Sequence, residues 1–284
     1  MGAKKTNIVV KKLRDIFLNI NMLFLASTLV LYFLILYYAY RVDLLLGRSE
    51  IITGYSLLFV ILFLIFFNVR KRLTVLPVIK VSHWTKLHIV QGCFCIILYF
   101  SHVKTLMPLG ANEIALAILF YLSVITGLLG YFFNKTIPRR LTESNIEIIY
   151  EKIPSVISDV RDQVEKIIIK CATENNTDTL TRHYVETLNW FFVKPRFLLN
   201  HFFGGQQGRH WVDNQTQSIQ HFLNDSEKQY LIEIQKLAQY KNKIDFHYSL
   251  QSCSKAWLFL HIPISVMMLI LVFWHLLIVN IYAI

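Results

Sequence analysis

Five long apolar segments constrain the fold of this 284-residue chain more than any other feature. A helix needs about 20 largely apolar residues to cross the roughly 30 Å of hydrocarbon in a bilayer. The predicted spans are Ile16–Tyr40, Ile51–Asn68, Leu87–Met107, Glu113–Phe133 and Ala256–Tyr282. Only 17% of the residues are charged, against about 25% in an average soluble domain. We therefore predict an all-α membrane protein with five transmembrane helices.

The basic excess of the chain lies beside these apolar segments. The formal net charge is +11. Residues 134–255 carry 16 basic and 14 acidic residues, whereas the rest of the chain carries 13 basic and only 4 acidic residues. Positive charge that flanks apolar segments is typical of membrane proteins, whose cytoplasmic loops are rich in Lys and Arg. We therefore predict a protein of the lipid bilayer with no nucleic-acid partner.

Three short basic flanks predict the orientation of the chain. They lie before the first span, between the second and third, and after the fourth, so all three share one side if the chain crosses five times. Their residues are Lys4, Lys5, Lys11, Lys12, Arg14, Arg70, Lys71, Arg72, Lys80, Lys86, Lys135, Arg139 and Arg140. The positive-inside rule predicts an inner (cytoplasmic) membrane protein with its amino terminus cytoplasmic and its carboxyl terminus outside. Residues 1–133 then form four transmembrane helices, 134–255 a cytoplasmic insert and 256–284 the fifth transmembrane helix.

Apolar residues at helical spacing predict that the insert is helical. One helix covers Val156–Cys171, and a second covers Thr181–Phe192 and ends before Pro195. A third is predicted to begin at Ser226, whose hydroxyl would cap it while Gln229 reaches back. The insert carries no glycine-rich phosphate loop led by a strand, so the sequence predicts no flavin or nucleotide site there. We expect the insert to dock a partner protein.

Two spans carry histidines at the same spacing. His88 and His102 lie on the third span, and His261 and His275 lie on the fifth, 14 residues apart in both cases. Fourteen residues fall roughly 40° short of four helical turns and rise about 21 Å, so each pair shares one helix face. A single span separates the two, so they run in the same direction. We therefore expect His88 to face His261 near the cytoplasmic side and His102 to face His275 near the outer side.

Two facing imidazoles in each leaflet favour haem as the ligand. A buried imidazole needs a polar partner, and haem iron accepts two neutral imidazoles from opposite faces of the porphyrin. All four histidines are therefore candidate iron ligands. Glycines expected to let the macrocycle approach are Gly92, Gly127 and Gly130, and candidate partners of its propionates on the cytoplasmic side are Lys86, Arg139 and Arg140. The alternative is that the histidines only bond to neighbouring helices.

The paired histidine spacing on parallel spans resembles the four-helix core of di-haem cytochrome b proteins. The tract Thr126–Tyr131, followed by Ile137–Arg140, is similar to bacterial b-type cytochromes and ferric-reductase-like transmembrane components. The resemblance covers the second to fifth spans. It implies a four-helix core that holds two non-covalent haem b groups, with the ligand pairs His88/His261 and His102/His275.

These observations predict an electron-transfer subunit of a respiratory-chain membrane complex. Such a subunit would carry electrons across or within the membrane between a quinone pool and a partner redox protein. Two alternatives remain at this stage. One is a membrane scaffold whose histidines bind no haem, and the other is a self-contained quinol or metal-ion reductase.

Overall fold

A computed structural model describes residues 25–66, 81–175 and 177–282. These residues divide into two units by their contacts. One unit ends at Tyr131 and resumes at Leu260, and the other is Phe132–Phe259. The basic flanks predicted at 4–14 and 70–80, and the first residues of the first predicted span, lie outside the described residues.

Five helices of the described chain are long and apolar enough to cross a membrane. They are α1 (Leu25–Leu44), α2 (Ser49–Phe66), α3 (Val81–Val103), α4 (Ala111–Glu143) and α10 (Asp225–Tyr282). No β-strand occurs in residues 25–66, 81–175 or 177–282. The predicted fold class, an all-α membrane protein with five transmembrane helices, is therefore confirmed.

The ends of the helices differ from the ends of the predicted spans. The third span was expected to reach Met107, but α3 ends at Val103. Lys104 then takes a left-handed conformation, with φ of 59°, and terminates the helix. α4 and α10 extend well beyond the predicted fourth and fifth spans, since a helix can continue through polar sequence after the apolar stretch ends.

Four helices contribute to the apolar core of the unit that ends at Tyr131 and resumes at Leu260. α2, α3, α4 and α10 contribute its buried side chains, which are Leu57, Ile61, Cys95, Leu98, Tyr99, Ala117, Phe120 and Met268. The rings of Tyr99 and Phe120 stack with their centroids 4.0 Å apart. Tyr32 and Ile35 of α1 pack against the edge of this core. The result is a four-helix bundle with α1 on its side.

α3 and α10 run in the same direction through this bundle. Thr53, near the start of α2, lies beside His102 in the last turn of α3. The Tyr55 hydroxyl donates to Asn280 Oδ1, near the end of α10, at 3.2 Å. The carboxyl ends of α3 and α10 therefore both lie next to the amino end of α2, and the histidines of the two helices come to matching levels.

The second unit is also helical. Beside parts of α4 and α10, it contains a 3₁₀ turn (Tyr150–Lys152), α5 (Ile153–Asn175), α6 (Thr179–His183), a π-helical turn (Tyr184–Leu188), α7 (Asn189–Val193), α8 (Leu198–Phe202) and α9 (Gln207–Gln220). α5 buries one face, made of Ile153, Ile157, Val160, Val164, Ile168 and Cys171. The predicted amphipathic helix is thus confirmed, and the second predicted helix corresponds to the run from α6 to α7.

The predicted cap of the third insert helix is wrong. The Ser226 hydroxyl donates to Asn175 Oδ1 at 2.8 Å instead of closing its own helix. The carboxylate of Glu227 takes the capping role, because it accepts the N–H of Asn224 at 2.9 Å and also the hydroxyl of Thr177. Glu227 is almost fully buried, so these two donors satisfy a carboxylate that water does not reach.

A buried ion pair on α10 binds the backbone of the segment that precedes α8. Lys241 Nζ lies 2.6 Å from Asp245 Oδ2, and both side chains are 0% exposed. The ammonium also donates to the carbonyl of Lys194 at 2.8 Å, and the same carboxylate oxygen accepts the N–H of Arg196 at 3.2 Å. The pair therefore satisfies backbone groups on either side of Pro195, which has no N–H of its own.

Candidate functional site

His102 and His275, the pair predicted to lie near the outer side and here called the outer pair, open onto a cavity in the four-helix bundle. The cavity has a volume of about 410 Å³ and a mainly apolar lining drawn from α2, α3, α4 and α10. His102 and His275 both line it, and their imidazoles lie close enough to interact electrostatically. Cavities of roughly 300–1,000 Å³ with a few convergent polar groups are typical of small-molecule and cofactor sites.

A threonine of α2 orients the His102 imidazole. Thr53 Oγ1 lies 3.2 Å from His102 Nδ1. The same hydroxyl donates its proton to carbonyls of its own helix, those of Ser49 at 3.3 Å and Glu50 at 3.2 Å. Since its one proton is engaged there, the hydroxyl oxygen accepts the Nδ1–H of His102. The Nε2 atom is then unprotonated, which is the state in which an imidazole binds a metal.

His88 and His261, the pair predicted to lie near the cytoplasmic side and here called the inner pair, have a similar arrangement with a threonine from a different helix. His88 of α3 and His261 of α10 lie close enough to interact electrostatically. Thr126 Oγ1 of α4 lies 2.8 Å from His261 Nδ1 and donates its proton to the carbonyl of Leu122, also at 2.8 Å. In each pair, the Nδ1 atom of one histidine therefore contacts the hydroxyl of a buried threonine, and the Nε2 atom of that histidine stays available. The structure brings together the residues that the 14-residue spacing paired.

A glycine follows each of these threonines and lies against the ring of the same histidine. A Cβ atom on Gly54 would fall 2.9 Å from His102 Cε1, closer than real Cβ contacts allow. A Cβ atom on Gly127 would fall 3.9 Å from His261 Cε1. Gly54 is thus required for the position of the imidazole itself. Gly127 also borders a histidine ring, a contact that its predicted role beside a macrocycle did not include.

The two threonines and Gly54 were missed by sequence reasoning. The available signal was a repeated dipeptide, because Thr53-Gly54 and Thr126-Gly127 are both preceded by isoleucine and both lie in apolar spans. Thr53-Gly54 contacts His102 of the outer pair, and Thr126-Gly127 contacts His261 of the inner pair.

The other two predicted glycines occupy different surroundings. A Cβ atom on Gly92 would meet no atom within 4 Å, so the protein leaves room beside it, one turn from His88. Gly130 is buried within α4. The approach of a macrocycle to these positions stays a prediction.

The predicted cations have partners of their own. Lys86 is exposed near the start of α3. Arg139 pairs with Glu143 at 3.0 Å, and Arg140 donates to the carbonyls of His201 and Phe202 at the end of α8. Both arginines belong to the Phe132–Phe259 unit. Their contact with haem propionates therefore stays a prediction.

Each histidine pair offers two imidazole nitrogens as possible ligands of a metal ion. Among residues 25–66, 81–175 and 177–282, no group of three or more His, Cys, Asp and Glu side chains is placed to hold a metal ion. A protein-only zinc centre usually needs three or four such ligands, whereas haem iron takes four ligands from its porphyrin and only axial ones from the protein. The donor set therefore fits an iron porphyrin better than a bare metal ion.

Comparison with known proteins finds no relative of this chain. No protein-family model, no curated protein and no solved structure matches the chain. The function is therefore argued from the residues themselves.

Proposed function

We propose that the chain is a di-haem b-type cytochrome subunit that carries electrons across or within the membrane, between a quinone pool and a partner redox protein. One observation carries the proposal: the four intramembrane histidines form two pairs, and a threonine hydroxyl fixes one imidazole of each pair by its Nδ1 atom. The proposed ligand pairs are His88/His261 and His102/His275. Haem supplies one-electron redox chemistry when it is bound.

The surroundings of the histidines support this ligand. The cavity at His102 and His275 is lined mainly by apolar side chains, as an uncharged macrocycle requires. Gly54 keeps the backbone of α2 close to the His102 ring, Gly127 borders the His261 ring, and Gly92 leaves room next to His88. Gly130 adds a further small residue on α4.

The protein residues perform three tasks in this proposal. Thr53 and Thr126 orient the imidazoles and select the tautomer whose Nε2 is a ligand. The apolar core around Tyr99 and Phe120 keeps water from the sites. The 14-residue spacing separates the sites by about 21 Å along each helix, which places one in each leaflet.

The orientation and setting belong to the same proposal. The basic flanks place the amino terminus in the cytoplasm of an inner-membrane protein and the carboxyl terminus outside. Lys86, Arg139 and Arg140 then lie on the cytoplasmic side, and the contact of these cations with haem propionates stays a prediction. The Phe132–Phe259 unit faces the cytoplasm as a docking surface for a redox partner subunit of a respiratory complex.

Haem content is the direct test. The full-length chain, expressed in haem-replete cells and purified in a mild detergent, should carry two haem b per chain in a pyridine haemochrome assay. Dithionite-reduced minus oxidised spectra should show b-type bands. A colourless, folded preparation would overturn the proposal in favour of a haem-free scaffold. Sustained turnover of the isolated chain with a quinol analogue and a ferric chelate would instead favour the self-contained reductase.

A further inference from the structure

A second cavity lies within the Phe132–Phe259 unit. It has a volume of about 620 Å³ and is bounded by the end of α4, the segment from α8 to α9, and α10. Its cationic lining residues are Arg140, Arg209 and Lys243. The carboxylate among its lining residues, Glu143, already pairs with Arg139 at 3.0 Å. The lining therefore carries more positive than negative charge, even though Arg209 also lies 3.9 Å from Asp213 Oδ2, and this excess favours an anion.

A buried histidine of α8 lines this cavity with an unsatisfied nitrogen. His201 is 3% exposed, and its Nε2 atom is buried without a hydrogen-bond partner. Burial, together with the nearby charge of Lys241, lowers the pKa of His201 to about 4, so the imidazole is neutral at pH 7. A neutral imidazole can still donate one N–H. Buried polar atoms are nearly always hydrogen-bonded, so His201 Nε2 and Asn242 Oδ1, which is also buried without a partner in this lining, are positions where a bound molecule can supply the missing contacts.

The cavity also receives the amino end of a helix. Gln206 and Arg209 line it, and α9 begins at Gln207 and runs for 14 residues. The N–H of Gln207 is taken by Asn200 Oδ1 at 3.0 Å, but the other N–H groups of a first helical turn point outward and carry partial positive charge. Helix amino ends of this kind bind phosphate. This contribution adds to the three cations and the buried imidazole.

We propose that this cavity binds a phosphate-bearing anion, with Arg209, Lys243 and His201 as its direct contacts. Arg140 adds charge at the rim, while two of its N–H groups hold the end of α8. Phosphate suits this lining better than a carboxylate, because the three proposed donors belong to three helices, α8, α9 and α10, and a phosphate group offers acceptor oxygens in a tetrahedral arrangement. The volume admits a phosphate ester rather than the inorganic ion alone. The inference does not depend on haem binding.

Two sources can supply this chemistry, a phospholipid headgroup and a free phosphate ester. Leu199 and Phe203, which flank His201 in the chain, are 78% and 81% exposed. Exposed apolar side chains beside a phosphate site would suit the acyl chains of a lipid. The test therefore has one arm for each source.

The test uses the full-length chain in an uncharged detergent and phosphate-free buffer. In one arm, isothermal titration calorimetry measures binding of inorganic pyrophosphate as the soluble probe. In the other, native mass spectrometry measures retention of phosphatidylglycerol against phosphatidylcholine after extraction from nanodiscs that contain both. The cavity variant is Arg209→Gln with Lys243→Gln, both of which are exposed and so leave the core intact. The control is Lys166→Gln with Lys236→Gln, two exposed lysines of the same unit outside the cavity.

We expect the cavity variant to bind at least about tenfold more weakly than the control in one of the arms, since it loses two charge-assisted contacts. A loss confined to pyrophosphate identifies a free phosphate ester as the ligand, and a loss confined to phosphatidylglycerol identifies a lipid. Equal effects of the two double variants, or no binding in either arm, overturn the inference. Haem content, measured in parallel, separates this result from the fate of the proposed function.

Discussion

Thr126 Oγ1 lies 2.8 Å from His261 Nδ1, and the proton of that hydroxyl is donated to the carbonyl of Leu122. With its proton on that carbonyl, the hydroxyl is an acceptor for the Nδ1–H of the imidazole. A side chain from one helix thus favours the tautomer of a histidine on another helix in which Nε2 carries no proton. Thr53 does the same for His102.

Removing the Thr126 hydroxyl should weaken haem binding at the inner pair. Thr126→Val keeps the shape but removes the acceptor for His261 Nδ1–H, and loss of such a partner typically costs about 10- to 100-fold in metal affinity. Haem retention during gel filtration and the midpoint potential of the remaining haem measure the effect.

Thr136→Val is the matched control for this variant. The Thr136 hydroxyl bonds to the carbonyl of Phe132 at 2.8 Å on the same helix, and the structure gives it no histidine partner. Thr126→Ser should restore most of the binding, because it restores the hydroxyl. If the Thr136 variant loses as much haem as the Thr126 variant, the role assigned to Thr126 is wrong.

An added methyl group at Gly54 should disturb the outer pair alone. Its Cβ would lie 2.9 Å from His102 Cε1, so the imidazole must move away from Thr53. Gly54→Ala is expected to lower the haem content from two to about one per chain, as measured by pyridine haemochrome. Ser56→Ala, a small change on the same helix away from the cavity lining, should keep both haems. Full haem content in Gly54→Ala would show that the ring position is not needed for binding.

Double substitutions should reveal which histidines act together. His102→Ala and His275→Ala should each remove the same haem, and the double variant should lose no more than either alone, because in the proposed function one ligand pair holds one haem. His102→Ala combined with His261→Ala should lose both haems. Spectra and haem counts of purified proteins measure this, with His221→Ala, an exposed histidine, as the control. A same-pair double variant without any haem would contradict the pairing.

Much of this arrangement follows from local sequence patterns, and the rest depends on contacts between distant residues. The spans and the histidine levels follow from apolar composition and from the helical repeat, both of which are local. The contact between Thr53 and His102 joins residues 49 positions apart, and that between Thr126 and His261 joins residues 135 apart. No local pattern contains such a contact. The cap at the start of α10 was missed although it is local, because Glu227 accepts the N–H of Asn224 three residues before it, whereas the predicted cap, Ser226, has its partner at Asn175.

The Phe132–Phe259 unit should lose stability in mild acid partly through His201. The pKa of this buried imidazole is lowered to about 4 in the folded chain, whereas an unfolded chain protonates near the ordinary value of 6.5. Between these values the unfolded state binds more protons, so stability falls as the pH decreases from about 6.5 to 4. His183 and His247, whose pKa values are also lowered by burial, contribute in the same direction.

The variant His201→Gln measures how much His201 contributes to this loss of stability in acid. The variant removes the titrating group, so its stability should change less between pH 6.5 and 4 than that of the unaltered chain. Hydrogen exchange of amides in α8 and α9, measured in phosphate-free buffer, reports this locally. An identical pH dependence in both proteins would show that His201 is not held neutral by the fold.

Breaking the buried ion pair should destabilise the same unit strongly. Asp245→Asn leaves the Lys241 ammonium buried without its counter-ion, and the loss of one partner of such a pair typically costs about 3–5 kcal/mol. Lys241→Met with Asp245→Leu should cost much less, since no uncompensated charge remains. Denaturant unfolding of the full chain, followed by the exposure of Cys171 to a thiol reagent, measures both. Equal losses in the single and double variants would contradict the importance of the buried charge.

The threonine hydroxyls have a consequence for the proton balance of cofactor insertion. Because each hydroxyl directs its proton to its own helix, the histidine that it holds already carries its proton on Nδ1 and none on Nε2. Coordination through Nε2 would therefore displace no proton from that ring. In the proposed sites, coordination at these two histidines would thus be neutral in proton stoichiometry.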